Sequence, residues 1–332
     1  MIYPFSRRRF IKGAGGVLLL GAGGVPLVSN ASASFDSVKV LCGFGAGGAI
    51  DVVARRVGER MTGSHAKSVV IDNRTGAGGR LAIEGLKASA PDGTTLLLTP
   101  GAMLYIYPHI YSKLSYNPLT DLTPTAQAMT VPMGMAVGPM VPETVRTITD
   151  FVSWCKQNPG QASFGHGGAG SMPHFLGAMI ERETGVKLSH VPYKGTQAAI
   201  QDAMGGQIAA CTGTEADYIP HLKGGRIRML GIASPQRTKF NPTVPTFVEQ
   251  GLKSVVAQEW FAFFLPPKTP DNIVQSANSA LNSALRDKTS VEAFAQLGLT
   301  VDTSTPTQLA TRLKTDLETW RPIVKSTGFT AD

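Results

Sequence analysis

Phe44-Gly45-Ala46-Gly47-Gly48 is a glycine-rich turn between an apolar strand, residues 38–42, and a helix that begins near Asp51. A second turn of the same kind, residues 165–170, follows a strand and precedes another helix. Glycines have no Cβ atom to keep a ligand from the backbone, and the first N–H groups of a helix lack partners within it. Because the helix dipole adds positive potential there, each turn is suited to bind an anion. Two such turns, far apart in the chain, predict two lobes that close on one acidic ligand.

The first 33 residues are interpreted as an export leader rather than as part of the fold. Ser6-Arg7-Arg8-Arg9-Phe10-Ile11-Lys12 is typical of twin-arginine export, and an apolar, glycine-rich stretch follows at residues 13–28. Ala31-Ser32-Ala33 fits the small-residue rule for cleavage, so we expect cleavage near Ala33. The apolar stretch is too short and too rich in glycine for the roughly 20 apolar residues of a membrane span. The sequence therefore predicts a soluble periplasmic protein.

Removal of the leader changes the electrostatic argument. The full chain carries a formal net charge of +8, and the loss of Arg7, Arg8, Arg9 and Lys12 lowers it to +4. No basic run alternates with aromatic residues, so a nucleic-acid partner is not expected. A mildly basic surface is compatible with attraction of acidic solutes.

The three cysteines, Cys42, Cys155 and Cys211, are an odd number, so at least one thiol stays outside any internal disulfide. A bridge between Cys42 and Cys211 would lock the predicted cleft and is not expected. Their spacing matches no metal-binding pattern, and neither a metal nor a cofactor is predicted.

Short apolar segments alternate with helical ones along the mature chain. The first series runs strand, helix, strand, helix, strand at residues 38–41, 51–61, 68–71, 81–89 and 95–98. A second series of the same type extends from residue 149 to residue 232; it begins with a helix at residues 149–157 and includes a strand at residues 208–211. This βαβ rhythm predicts parallel sheets flanked by helices. About 300 mature residues exceed what one core usually supports, so we predict an α/β fold of two lobes.

Two proline-bearing stretches, residues 129–142 and 242–261, are interpreted as crossings between the lobes. The tail has amphipathic helical segments at residues 271–285 and 307–319, which are expected to pack back on the first lobe. The expected boundaries are residues 1–33 for the leader, 34–130 for the first part of lobe 1, 131–256 for lobe 2, and 257–332 for the return to lobe 1 with the C-terminal helices.

The first turn also fits a different function. Gly43-Phe44-Gly45-Ala46-Gly47-Gly48 has the G-x-G-x-x-G spacing of a dinucleotide-binding turn, and Asp72 ends the next strand, where a ribose would lie. Against this interpretation, Asp51 would place a negative charge beside the pyrophosphate, and the glycine turn at residues 73–79 would crowd the ribose. An exported nicotinamide-dependent oxidoreductase remains the alternative.

Other catalytic arrangements have less support. Ser171 does not lie in a G-x-S-x-G sequence. His166 and His174 are eight residues apart across a turn rather than four apart on one helical face, so a zinc pair is not expected. Glu215 and Asp217 follow a strand, where acidic residues most often cap the next helix. We therefore predict that the protein is not an enzyme.

Several motifs in a fixed order resemble the Bug family, the periplasmic solute receptors of tripartite tricarboxylate transporters. The resemblance extends over essentially the whole mature chain. Its segments are Phe44-Gly45-Ala46-Gly47-Gly48-Ala49-Ile50-Asp51, Asn73-Arg74-Thr75-Gly76-Ala77-Gly78-Gly79, Ala90-Pro91-Asp92-Gly93, Gly170-Ser171-Met172-Pro173-His174, His190-Val191-Pro192-Tyr193-Lys194-Gly195, Gly205-Gly206-Gln207 and Val244-Pro245-Thr246.

The resemblance implies a two-lobed periplasmic-binding-protein architecture in which a ligand carboxylate is held between the two glycine turns. It also implies a small organic acid or amino acid as ligand, integral-membrane transporter subunits as partners, and a monomer. A solute sensor that docks to a signalling receptor is a further alternative. The ligand-binding residues implied by the family pattern are Phe44, Ala46, Gly48, Asp51, Thr99, Gly101, His166, Gly167, Ser171, His174, Thr196 and Glu215.

The chain departs from the usual family pattern around this site. Cys42-Gly43 stands where a proline is common, Gly165-His166-Gly167-Gly168 replaces a serine-rich turn, and Glu215 stands where neutral or aspartyl residues are usual. If Glu215 faces the ligand, it would disfavour a second carboxylate and favour an amino group. If it caps the helix from Ala216, which we favour, the pocket stays open to di- and tricarboxylates.

Overall fold

The computed structural model describes residues 35–331. The predicted export leader lies outside the described residues. The strands are β1 (Phe35–Cys42), β2 (Ala66–Asn73), β3 (Thr95–Pro100), β4 (Thr123–Val137), β5 (Ser163–His166), β6 (Ser189–Pro192), β7 (Ala210–Thr214), β8 (Arg228–Ile232), β9 (Gln258–Leu265) and β10 (Thr300–Val301). The α-helices are α1 (Ala49–Met61), α2 (Arg80–Lys87), α3 (Ala102–Tyr105), α4 (Tyr107–Ile110), α5 (Ile148–Gln157), α6 (Met172–Thr184), α7 (Thr196–Met204), α8 (Glu215–Leu222), α9 (Asp271–Arg286), α10 (Lys288–Gln296) and α11 (Pro306–Thr327).

The long strand β4 connects two groups of strands. In the first group, β1 lies between β2 and β3 in parallel, and β9 joins β3 to the first part of β4 through antiparallel pairing. In the second group, β5 lies between β6 and β7 in parallel, while β7 and β8 pair antiparallel with residues 133–137 of β4. Each group thus has a parallel core of three strands, which is the predicted βαβ arrangement, and the antiparallel strands lie where the groups meet.

The predicted crossings are only partly right in their extent. β4 begins at Thr123, six residues before the predicted crossing at residue 129, and β9 continues to Leu265. The early part of β4 is Thr-Pro-Thr-Ala-Gln, which lacks an apolar pattern, and the β4–β9 register shifts twice in this region. This part of the strand was missed because it is defined by its pairing with β9 and its residues do not alternate in hydrophobicity.

The helices cover the sheet with amphipathic faces, as the helical periodicity predicts. Helix α1 buries Val53, Val57 and Met61 against the first parallel group. The C-terminal helix α11 buries Leu313 and Trp320 in a core that also contains residues of α3 and α6, so it contacts elements of both strand groups.

The cysteines do not pair with one another. Cys42, Cys155 and Cys211 are free thiols, and all three are buried. Burial raises the pKa of each thiol to about 12, so they are protonated and behave as small apolar side chains. Across residues 35–331, none of the helices combines the length and the apolar character that crossing a bilayer would require.

Candidate functional site

The first glycine turn connects β1 to α1 and is held in place by Asp51. The Asp51 carboxylate accepts hydrogen bonds from the Gly47 backbone N–H, from Arg55 Nε and from Asn73 Nδ2, each at 2.9 Å. Gly47 has a φ of +85°, a backbone conformation that residues other than glycine rarely adopt. Helix α1 begins after Gly48 without a side-chain cap. Asp51 therefore shapes the turn from the helix side, while the uncapped end of the helix is left for another partner.

The electrostatics of Asp51 follow from these contacts. Burial alone would raise the pKa of its carboxyl, but the hydrogen bonds from Arg55, Gly47 and Asn73 outweigh burial and hold the pKa below its ordinary value. The ion pair with Arg55 balances the charge. A carboxylate on an incoming ligand therefore meets a neutralised pair rather than a bare negative charge.

The second glycine turn connects β5 to α6, and its polar groups largely bond with one another. The Ser171 hydroxyl donates to the Gly168 carbonyl at 2.6 Å, and the Gly170 N–H donates to His174 Nδ1 at 3.2 Å. Gly167 lies so close to Thr196 that a Cβ atom there would come within 2.9 Å of the Thr196 hydroxyl. The turn is therefore packed against the start of α7.

Three histidines form a cluster next to this turn. The His166 ring centroid is 4.8 Å from that of His174 and 5.5 Å from that of His190, and the His174 and His190 centroids are 4.7 Å apart. His166 and His174 are buried, whereas His190 is exposed. Burial, with smaller contributions from the neighbouring rings, lowers the pKa of His166 and of His174 to about 4. Both rings are therefore neutral at neutral pH.

Sequence spacing did not reveal this cluster. His190 lies on β6, which pairs with β5 so that His190 is opposite Phe164. Residues 164 and 166 share one face of β5, and that face also receives α6 with His174. The one sequence feature that could have indicated the cluster is that two consecutive strands joined by one helix usually pair in parallel.

A cavity of about 230 Å³ lies between the first turn and the second group of strands. Its lining includes Gly47 and Ala49 from the first turn, Gln197 from the first turn of α7, and Thr214, Ala216 and Asp217 from the start of α8. Val131 of β4 and Phe261 of β9 also line it. The cavity is thus bordered by the N-terminal ends of three helices, by β4, which connects the two groups, and by β9 of the first group.

None of the predicted ligand residues lines this cavity, and only some of them are sequence neighbours of residues that do. Gly47 lies between the predicted Ala46 and Gly48, and Gln197 follows the predicted Thr196. Phe44 is partly exposed at the edge of the first turn, with 36% of its surface accessible. His166 is buried at the end of β5, and His174 is buried in the first turn of α6. As ligand contacts, all of these residues stay predictions.

Thr99 and Gly101 lie at the end of β3 in a closely packed environment. The Thr99 hydroxyl contacts Met103 Sδ at 3.2 Å, and the Gly101 N–H donates to the Trp260 carbonyl at 2.8 Å. A Cβ atom on Gly101 would come within 2.2 Å of the Trp260 indole. Only glycine fits there, for a reason of packing.

The prediction that Glu215 caps α8 is wrong. Helix α8 begins at Glu215, and its capping box is formed by Thr214 with Asp217, whose carboxylate accepts from the Thr214 N–H at 2.9 Å. Glu215 Oε1 instead accepts from the Thr238 hydroxyl and from Asn241 Nδ2, and buried Oε2 has no hydrogen-bond partner among the described residues. Burial raises the pKa of Glu215. The N-cap is Thr214, one residue before the predicted position.

The fold and the cavity define a two-lobed solute-binding protein, and comparisons agree. The family model described as tripartite tricarboxylate transporter family receptor (TctC) matches residues 53–329. Protein BugT of Bordetella pertussis is 32% identical over 314 residues, which are 94% of this chain and 96% of that protein. The chain belongs to the tripartite tricarboxylate transporter receptor family.

Solved structures of similar proteins contain organic acids. MatC of Rhodopseudomonas palustris, with bound malate, is 28% identical with a TM-score of 0.73, covering 87% of this chain and 98% of that chain. A second R. palustris protein, with adipate, is 26% identical with a TM-score of 0.76, covering 90% and 98%. The Bug-family resemblance and the periplasmic-binding-protein fold are confirmed. Because the family consists of receptors, the prediction that the chain is not an enzyme is confirmed. The same finding speaks against the oxidoreductase alternative.

Proposed function

We propose that this chain is a periplasmic receptor that captures a small carboxylate-bearing solute between its lobes. The cavity between Gly47 and Ala216 carries the proposal, because it is bordered by helix N-termini on both sides. Helices α1 and α7 begin at glycines without side-chain caps, so their first amides are suited to an anionic partner.

The ligand class follows from the site and from relatives. The similar MatC structure holds malate and another holds adipate, both dicarboxylates. In this chain, Arg55 is already paired with Asp51, so backbone amides rather than an arginine side chain are the proposed carboxylate donors. The proposed contact surface is completed by Ala46 and Gly48 of the first turn, by Gly167 of the second turn, and by Thr196 at the start of α7.

Asp217 gives the cavity a second chemical feature. Its Oδ2 is used in the capping box, while Oδ1 lies 3.5 Å from Gln197 Nε2. Asp217 Oδ1 could accept a hydrogen bond from a hydroxyl or amino group of the ligand. A second carboxylate would be repelled by Asp217 and would bind more favourably at the N-terminus of α1 or α7. The proposed solute therefore combines a carboxylate with a hydrogen-bond donor.

We further propose that the loaded receptor presents its solute to the membrane subunits of a tripartite tricarboxylate-type transporter and acts as a monomer. Family membership and the BugT relative support this role. The predicted leader, with cleavage near Ala33, would direct the chain to the periplasm.

Calorimetric titration of the purified protein, unfolded and refolded to remove any retained solute, tests the proposal. The panel contains malate, adipate, citrate, an aromatic carboxylate, glutamate and, as a control without a carboxylate, glycerol. We expect saturable one-to-one binding of at least one acid and no chemical change in it. Absence of binding across the acids, or conversion of one of them into a product, would contradict the proposal.

A further inference from the structure

The three-histidine cluster of His166, His174 and His190 has the dimensions of a metal site. One candidate ligand atom from each residue can be chosen so that all three lie within 4.8 Å of one another. His166 Nε2 is 3.2 Å from His190 Nδ1. Two imidazole nitrogens on a tetrahedral zinc ion, with Zn–N distances of about 2.0–2.1 Å, lie about 3.3 Å apart. One edge of the triangle thus already has the required length, and the longest has to shorten by no more than ~1.5 Å.

We propose that His166, His174 and His190 bind a divalent transition-metal ion that favours imidazole, Zn²⁺ or Cu²⁺, at the α6 face of β5 and β6. Imidazole nitrogen is a preferred ligand of both ions. Three protein nitrogens leave a fourth coordination position for water or another small ligand.

His166 has the second hydrogen bond that metal-binding histidines usually make. Its Nδ1 lies 2.9 Å from the Gly168 carbonyl oxygen and 3.3 Å from the Gly168 nitrogen. The carbonyl can only accept, and this shorter contact assigns the proton to Nδ1. The Nε2 lone pair is then directed toward His190. A backbone carbonyl that holds Nδ1–H in this way fixes the ring and its tautomer for coordination through Nε2.

His174 is the ligand whose recruitment costs most. Its Nδ1 accepts the Gly170 N–H at 3.2 Å, so the ring proton is on Nε2 while no metal is bound. Coordination through Nδ1 displaces the Gly170 N–H, whereas coordination through Nε2 transfers the ring proton to Nδ1, which then can no longer accept from Gly170. Metal binding therefore adjusts the second glycine turn, to which Gly170 belongs.

An entry path reaches the cluster from outside. A cavity of about 620 Å³ is lined by His174 and His190, by Phe164 of β5 and by Phe329 near the C-terminus. Glu181, Arg182 and Lys187 also line it, so the local charge is mixed and the imidazoles supply the attraction. His190 is exposed on the edge strand β6, where its ring is able to rotate toward the other two.

Untagged protein, stripped with chelator, is titrated with Zn²⁺ against a chromophoric competitor, and with Co²⁺ to record the absorption of a tetrahedral nitrogen site. We expect one equivalent bound in the wild type. His190→Ala and His190→Phe, the second of which preserves ring packing, should each weaken metal binding by roughly 100-fold or more, because one of the three nitrogen ligands of the metal is lost. His221→Ala is the matched control, since this histidine lies on α8 and bonds Gln197 instead.

No organic acid is present in this titration, so its outcome is independent of carboxylate binding. Failure of the wild type to bind Zn²⁺ or Cu²⁺ at ~100 µM free metal overturns the proposal. Unchanged affinity in both His190 variants, with circular dichroism showing a native fold, overturns it as well.

Discussion

The Asp51 carboxylate accepts the backbone N–H of Gly47 at 2.9 Å, so the third residue of helix α1 holds the turn that precedes the helix. The same carboxylate binds Arg55 one helical turn later and Asn73 at the end of β2. One buried side chain thus joins the turn, the helix and the neighbouring strand. Because the Asp51 charge is paired with Arg55 and its oxygens are used within the turn and β2, an acidic residue here is compatible with a site proposed for anions.

Replacing Asp51 by alanine should destabilise the fold and weaken ligand binding. The substitution leaves three donors without their acceptor, for an expected loss of about 1–3 kcal/mol in the free energy of unfolding. Because the pKa of Asp51 is held below its ordinary value of 3.8, the wild-type advantage is complete at neutral pH and decreases as the pH falls below that value.

Asp72→Ala is the matched control for this change. Asp72 pairs with Arg74 near the surface, and surface ion pairs contribute less than about 1 kcal/mol. Denaturant unfolding of the two variants, at neutral and at acidic pH, measures the difference. Equal losses in both variants would show that Asp51 has no special role in the turn.

The buried Glu259 should make stability depend on pH in the opposite direction. Burial raises its pKa to about 7, although the N–H groups of Trp260 and Ala102 donate to it. Its protonated form stabilises the fold fully below the ordinary pKa of 4.5, and this contribution is lost as the pH rises through about 7. Glu259→Gln does not titrate, so its stability relative to wild type should increase over that range by about 1.4 kcal/mol per pKa unit.

The exposed Glu249, which pairs with Arg237, is the control for Glu259. Its pKa is lowered by the Thr246 backbone N–H, so Glu249→Gln should show no gain in stability relative to wild type as the pH rises. Chemical unfolding between pH 4 and pH 8 distinguishes the two. A pH-independent difference between Glu259→Gln and wild type would contradict the assignment.

Glu215 and Asp217 should differ in what they contribute to α8. Asp217→Ala removes the capping box and should cost about 0.5–2 kcal/mol of stability. Glu215→Gln keeps an acceptor for Thr238 and Asn241 and removes a buried charge, so stability at neutral pH should stay equal or rise. Selectivity across mono-, di- and tricarboxylates and amino acids should not change. A loss of amino-acid affinity alone would show that Glu215 faces the ligand.

Ligand binding is expected to close the lobes, with bending near Val131 of β4 and near Val256 just before β9. Val131 lines the central cavity, β4 runs from one strand group to the other, and Val256 lies in the segment through which the chain returns from β8 to β9 in the first group. Small-angle scattering with and without a saturating ligand should show a decrease in the radius of gyration. An unchanged radius would indicate a preformed, rigid cleft.

The fold was largely predictable because it depends on local patterns. The predicted helix at residues 149–157 corresponds to α5 at Ile148–Gln157, and the helix predicted from residue 271 begins at Asp271. β7 was displaced, from residues 208–211 to Ala210–Thr214, because its end is polar and the strand is defined by pairing with β4. Apolar alternation does not report such pairing.

The site was less predictable because it depends on contacts between distant segments. The glycine turns were visible in the sequence, but the partners of Asp51 and Glu215 were not: Asn73 is 22 residues from Asp51, and Asn241 is 26 residues from Glu215. The third histidine likewise became visible only through the pairing of β5 with β6. Composition and spacing identify which residues are available, whereas tertiary contacts decide what they do.

Paired titrations of Gly48→Val and Gly160→Val with the best ligand of the acid panel test the central claim most directly. Gly48 has a φ of −74°, and a Cβ atom there meets only the Gly45 carbonyl at 3.6 Å, so valine should preserve the fold while obstructing the amides of α1. Gly160, in the turn after α5, is equally open. We predict that Gly48→Val loses affinity by roughly 100-fold, about 2.7 kcal/mol, with unchanged unfolding, while Gly160→Val binds like wild type. Wild-type affinity in Gly48→Val would contradict the proposed carboxylate site.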